Sequence, residues 1–140
     1  ERRADKRIQE LEQMTETQRF DFWKAEFSKC IRCHACRDVC PMCFCVQCIT
    51  DKSQPQWIES SAHLRGNLAW NTIRALHLAG RCSGCGECER ACPVDIPLSL
   101  LNRKAETIAM ERFEYKPNDD PTKPSPIGTY RVEDGEEFIL

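Results

Sequence analysis

Eleven cysteines in a chain of 140 residues are the side chains most able to do chemistry. Eight fall into two runs of one pattern, C-x2-C-x2-C-x3-C-P: Cys30, Cys33, Cys36 and Cys40 before Pro41, then Cys82, Cys85, Cys88 and Cys92 before Pro93. The second run repeats the first 52 residues on. Three thiolates at this spacing on a looped backbone can converge on three irons of a cubane, while the N–H groups between them face its sulfides. The pattern therefore points to two [4Fe-4S] clusters. Disulfides explain it poorly, because an odd count leaves one thiol over and such close triplets do not suit separate cross-links. Zinc also takes C-x2-C pairs, but a zinc site needs two pairs, whereas each run offers three evenly spaced thiols and a fourth before proline.

The fourth cysteine of each run is expected at the start of the following helix, pointing away from its own triplet. In two-cluster ferredoxins it ligates the opposite cluster. The expected ligand sets are then Cys30, Cys33, Cys36 and Cys92 for the first cluster, and Cys82, Cys85, Cys88 and Cys40 for the second. Pro41 and Pro93 turn the chain out of each site. Cys43, Cys45 and Cys48 are left over, and three readings stay open: buried free thiols, ligands of a third iron-sulfur cluster completed by another residue, or an alternative ligand set for the first run. His34 and Asp51 are the nearby candidates to complete a third site. Free thiols beside cluster chemistry are an oxidation liability. Cys36, Cys40 and Cys43 also spell the C-x3-C-x2-C triplet of radical enzymes that cleave S-adenosylmethionine. That match is overlapped by the first run, there is no room for the barrel, and we read it as coincidence.

Charge differs between the loops. Arg32 and His34 lie inside the first, with Lys29 and Arg37 around it, and Glu87 and Glu89 lie in the second. Positive charge favours the reduced, more anionic cluster, so the first cluster is expected at the higher potential. His63 and His77 are expected to meet solvent or cap a surface, and Trp57 and Trp70 to pack.

The elements that must position these residues read as helical. Residues 4–29 lack Pro and Gly and carry Ile8, Leu11, Phe20, Trp23 and Phe27 at helical spacing, with a break near residues 15–17. This aromatic stripe is expected to pack over the first cluster rather than dock a partner. A second helix is expected from an N-cap at Ser60 or Ser61 through Leu78, burying Leu64, Leu68, Thr72, Ala75, Leu76 and Ala79 and ending at Gly80. Pro97 should open a third, with Leu98, Leu101, Ala105, Ile108 and Arg112 in register and an end near Phe113. Four prolines from Pro117 to Pro126 and an acidic stretch from Glu133 to Glu137 make the remainder an extended tail, either partly disordered or a strap across a partner. The expected fold class is mainly α, a helical two-cluster domain over 30–113, with an N-terminal amphipathic helix over 1–29 and a Pro-rich, acidic tail over 114–140.

Formal charge is −2. It divides as zero over residues 1–29, +2 over 30–92 and −4 over 93–140, a distribution that gives nucleic-acid binding little support. No apolar run approaches the ~20 residues of a membrane helix, so no membrane insertion is expected and the cytoplasm is the expected location. The chain starts at Glu1 inside a helical pattern, and a fragment of a longer subunit stays open.

The segments CIRCHACRDVCPMCFCVQC and HLAGRCSGCGECERACPVDIPLSLL resemble helical dicluster ferredoxin domains, in particular the iron-sulfur region of the beta subunits of formate dehydrogenases and hydrogenases that use a deazaflavin coenzyme. The resemblance covers about residues 28–104. The small iron-sulfur subunit of heterodisulfide reductase looks similar in its helical linker, though its first run lacks the added cysteines. The resemblance implies a non-catalytic electron-transfer subunit in a multi-subunit complex of an anaerobe, relaying electrons between a flavoprotein and another redox subunit. It does not carry over a flavin site, because no Gly-rich nucleotide loop on a strand is present. The alternative is a catalytic or third-cluster-bearing oxidoreductase subunit using Cys43, Cys45 and Cys48.

Overall fold

Thr15 divides the N-terminal amphipathic stretch in two. Its backbone is extended, its hydroxyl accepts from the Gln18 N–H, and the Gln18 side chain accepts from the Thr15 N–H at 2.9 Å. This reciprocal pair satisfies two donors that a helix start leaves orphaned. Helix α1 (Arg2–Glu12) therefore stops, and α2 (Glu16–Ser28) begins a new direction. The computed structural model describes residues 2–116, 120, 122–130 and 132–133, and in it the break falls where the sequence places it.

Four more helices follow: α3 (Ala35–Asp38), α4 (Leu64–Leu78), α5 (Glu87–Arg90) and α6 (Leu98–Phe113). Single 3-10 turns occupy Ile49–Asp51 and Pro126–Gly128, and there is no strand among the described residues. The class is mainly α, as expected. Helix α4 is the central post. It packs against α2 on one side and α6 on the other, and the two four-residue helices α3 and α5 lie against each other beside it. Lys104 reaches Glu12 at 2.6 Å and ties α1 to α6.

The start and buried face of α4 differ from the sequence expectation. The N-cap is His63, whose Nδ1 accepts from the Gly66 N–H at 3.2 Å, rather than Ser60 or Ser61. Thr72 and Leu76 face solvent, and the buried face carries Asn67, Trp70, Asn71, Arg74, Ala75 and Leu78. The reason is what the helix packs against. Its neighbours are cysteine loops rich in backbone carbonyls, and buried carbonyls need donors. Asn67 Nδ2 donates to the carbonyls of Phe27 and Cys30, at 3.0 and 2.8 Å, and Asn71 Nδ2 donates to that of Asn67. The helix ends before Gly80, which is in the left-handed region at φ 76.

Helix α6 opens after Pro97 and ends at Phe113, with Glu114 in the left-handed conformation. Leu98, Leu100, Asn102 and Ala109 form its buried side, whereas Ile108 and Arg112 are exposed. The core holds Phe27, Ile58, Trp70, Ile96 and Leu98 around two buried thiols, Cys36 and Cys88. Phe27 packs here and Trp23 stacks on it, with ring centroids 5.3 Å apart. Phe20, in contrast, opens onto a groove of about 430 Å³ between α1, α2 and α6. Of the tail, the acidic stretch beyond Glu133 and the apolar end at residues 138–140 lie outside the described residues.

Candidate iron-sulfur sites

The two cysteine runs share a backbone path as well as a spacing. Arg32 and His34 have φ of 59 and 62, and the residues at the same places in the second run, Gly84 and Gly86, have φ of 71 and 75. Each loop thus passes twice through the left-handed region before a four-residue helix. The pattern continues: Cys40 N–H donates to Arg37 O and Cys92 N–H to Glu89 O, both at 3.1 Å. Alternation of handedness of this kind points successive N–H groups to one side, forming a concavity that suits an anion.

Two pockets result. Cys30, Cys33, Cys36 and Cys92 line one, together with His34, Trp70 and Asn71. Cys82, Cys85, Cys88 and Cys40 line the other, with Met42, Ser99 and Asn102. Each pocket gathers the triplet of one run and the last thiol of the other. Cys36 and Cys88 are the deep members, Cys33 and Cys85 the exposed ones. All eleven cysteines are free thiols.

The electrostatics of the pockets fit an anionic cluster. Burial pushes the Cys36 thiol up to about 11 and raises that of Cys88 as well. A bound metal deprotonates such thiols outright. Donors already surround the sulfurs: Asn102 Nδ2 lies 3.6 Å from Cys88 Sγ, the Gly84 N–H 3.4 Å from Cys82 Sγ and the Ile96 N–H 3.5 Å from Cys92 Sγ. Arg32 and Arg74 are buried, and each has an Nε without an acceptor among the described residues. His34 Nδ1 is likewise buried without a partner. Burial and the neighbouring Arg37 and Arg32 charges hold the His34 pKa below the usual imidazole range.

Arg74 was not anticipated as a site residue, and its position is central. Its Nη2 donates to Cys36 O at 2.8 Å. Burial pulls its pKa down, but negative charge at Cys36, Cys88, Cys43 and Cys40 outweighs this and holds it raised. The available signal was a polar series, Asn67, Asn71 and Arg74, at i, i+4 and i+7 of an otherwise apolar helix. Trp70 also exceeds its expected packing role: it meets the His34 ring edge-on at 4.9 Å and lies under the Arg32 guanidinium at 5.5 Å. Trp57 is 64% exposed.

Cys43, Cys45 and Cys48 come together on a third pocket, walled on its other side by α4. Burial pushes the Cys43 thiol up to about 11. Burial also acts to raise Cys48, but the Thr50 hydroxyl, 3.2 Å from its Sγ, and Arg37 outweigh it and lower the pKa. Neither His34 nor Asp51 lines this pocket. Asp51 instead takes two hydrogen bonds from Arg37 Nη1, at 2.9 and 3.0 Å.

Comparison with known proteins agrees with the geometry. Residues 26–96 match the 4Fe-4S dicluster domain. The F420-dependent formate dehydrogenase subunit beta of Methanocaldococcus jannaschii is 38% identical over 103 residues, 73% of this chain and 26% of that protein. The F420-dependent formate dehydrogenase 1 subunit beta of Methanococcus maripaludis is 31% identical over 106 residues, 76% of this chain and 27% of that protein. The chain thus spans about a quarter of the length of these curated relatives. The repeated loops, the two four-cysteine pockets and the match over half of its length agree: the chain belongs to the 4Fe-4S dicluster domain family and is an iron-sulfur protein carrying two [4Fe-4S] clusters.

Proposed function

We propose that this chain is the electron-relay part of an oxidoreductase complex, passing single electrons through its two clusters between a flavin-containing subunit or domain and another redox partner. Its relatives are named as beta subunits of F420-dependent formate dehydrogenases, which supports membership of a complex of that type. No helix among the described residues is long and apolar enough to cross a membrane, which suits a partner-bound subunit. In this reading Cys30, Cys33, Cys36 and Cys92 hold the first cluster and Cys82, Cys85, Cys88 and Cys40 the second. The clusters supply reversible one-electron chemistry.

The chain's own residues do the rest. The crossed thiols force the two sites to share one folded unit, which keeps the relay short. Trp70, Ile96 and Leu98 exclude water from the first pocket, and burial strengthens every charge effect inside it. Arg32 and Arg74 bring buried positive charge beside the thiolates, favouring the reduced state of both sites. The single observation that carries the reading is the pair of pockets, each lined by three thiols of one run and one of the other.

The test is reciprocal. In anaerobically prepared protein, Cys92→Ser should remove or convert the first cluster's EPR signal and spare most of the second, and Cys40→Ser should do the reverse. If each variant instead damages the site of its own run, the ligand assignment is wrong. If dithionite-reduced wild-type chain shows no pair of interacting cluster signals, the relay itself is wrong.

A further inference from the structure

We propose that Cys43, Cys45, Cys48 and His77 hold a third iron-sulfur cluster of the four-iron class, in the pocket between the 43–48 loop and α4. Four observations converge on this. The three thiols left over from the two runs do not scatter: all of them line one pocket. The facing wall is one side of α4, and there His77 lies one turn after Ile73 and three residues after Arg74, so an imidazole completes three thiols as a fourth ligand. His77 replaces His34, which lines the first cluster's pocket and not this one, and Asp51, which Arg37 holds.

The second observation is size. The pocket has a volume of about 50 Å³, against about 20 Å³ for each of the two pockets that belong to the dicluster domain. It has at least the room of the other two. The third is charge. Arg37, Arg74 and Arg81 all line it, and Arg74 is 4% exposed with an Nε that finds no acceptor among the described residues. Arg37 is already paired with Asp38 and Asp51, and Arg81 donates to His77 O, so the buried Arg74 is the cation left to an anionic inorganic occupant, whose sulfides accept hydrogen bonds. A lone zinc ion has no sulfides to take the Arg74 N–H.

The fourth observation is contiguity. Met42 lines both this pocket and the second cluster's, and Trp70 lines both this pocket and the first cluster's. A cluster here would stand one side chain away from each of the others, a branch on the relay rather than an isolated metal. The loop itself is the divergence between the repeats: at the place of Cys43 after Cys40-Pro41-Met42, the second run has Asp95 after Cys92-Pro93-Val94.

The test measures iron, acid-labile sulfide and zinc in the full chain after anaerobic reconstitution, beside the Cys45→Ser, Cys48→Ser double variant. Wild type should carry about twelve irons and the double variant about eight, with the two motif clusters' EPR signals kept. Mössbauer spectra of the iron-57 wild-type chain give the same count without requiring any variant to fold. A nitrogen coupling of the size a directly ligating imidazole gives, well above that of the backbone N–H groups around the clusters, should be present in the pulsed EPR spectrum of the reduced wild type and lost in His77→Cys, which keeps the iron. About eight irons in wild type overturn the third cluster and leave the two-cluster relay standing, as do eight irons with one zinc. Twelve irons in both proteins overturn the ligand set, and about four or fewer in wild type overturn the relay as well.

Discussion

The two cysteine loops trace one backbone path with different side chains. In the second loop both left-handed positions are glycines, which take that conformation freely. In the first they are Arg32 and His34, and a non-glycine residue there costs about 1–2 kcal/mol. That cost is offset by what the side chains do. Arg32 reaches across to the start of α4, donating to Gly66 O and Glu59 O at 2.8 Å each, and both residues pack on Trp70. The second loop is tied down from outside instead: Arg90 donates to Cys85 O at 2.8 Å and pairs with Glu87. The backbone path is the part a cubane requires, and it is kept in both repeats. The side chains are free to diverge, and the first loop has used that freedom to bury a cation.

Turning the first loop into the second is the strongest way to break the contrast. Arg32→Gly relieves the strained position but removes two charge-assisted hydrogen bonds and leaves two carbonyls without their donor. At about 1.5–3 kcal/mol for each such bond, less the relief, the net loss is about 2 kcal/mol or more. Bleaching of the first cluster by an iron chelator should accelerate roughly thirty-fold, with the second cluster nearly unchanged. The first cluster's potential should also fall, because a buried positive charge beside Cys30 and Cys36 is gone. A potential that rises would refute the electrostatic role, and equal bleaching of both clusters would show that Arg32 supports the whole fold and not one loop.

What was legible in the sequence follows the same division. Backbone-level demands leave spacing signatures: the crossed grouping of thiols is implicit in C-x2-C-x2-C-x3-C-P and reappears in the walls of two pockets. The Thr15 break was legible because N-caps have strong residue preferences, and the end of α6 because the helical period stops ahead of the Pro-rich stretch, although its cap is Glu114 and no glycine. The buried face of α4 was legible only in part. Apolar periodicity selects Leu64, Leu68, Thr72, Ala75, Leu76 and Ala79; Ala75 is buried and Leu68 packs against the core, but Thr72 and Leu76 face solvent, and Asn67, Asn71 and Arg74 turn inward as donors to buried carbonyls. His77 was read as a surface residue for the same reason, since without the inner face of α4 nothing connects it to the 43–48 loop.

The reverse change is gentler. Gly84→Ala puts a Cβ where no atom of the described residues lies within 4 Å, so within the chain its effect is conformational. It should cost about 1 kcal/mol, the second cluster should still assemble, and its chelator bleaching should quicken roughly five-fold. Failure to assemble any second cluster would mean that the loop needs glycine for close approach to the cluster rather than for its φ.

The smallest effect concerns the acidic side chains that first distinguish the second loop. Glu87 pairs with Arg90, and Glu89 accepts from the Ser99 N–H at 3.1 Å and faces Arg7 at 3.5 Å, so neither is a bare charge. The first loop's outer cations are matched in the same way, Lys29 by Glu26 at 2.7 Å and Arg37 by Asp38 and Asp51. Most of the contrast in charge between the loops therefore cancels at the surface, and the buried Arg32 is left to carry it. Replacing Glu87 and Glu89 by Gln should raise the second cluster's potential, since removing negative charge favours the reduced state. The rise should be smaller than the fall caused by Arg32→Gly and should shrink further as salt is added, because exposed charges are screened and buried ones are not. A redox titration of the three proteins at low and high salt ranks these shifts directly. If the double Gln variant moves its cluster more than Arg32→Gly moves the first, the surface acids and not the buried arginine separate the two potentials; a downward shift would mean that the sign of the loop electrostatics is wrong.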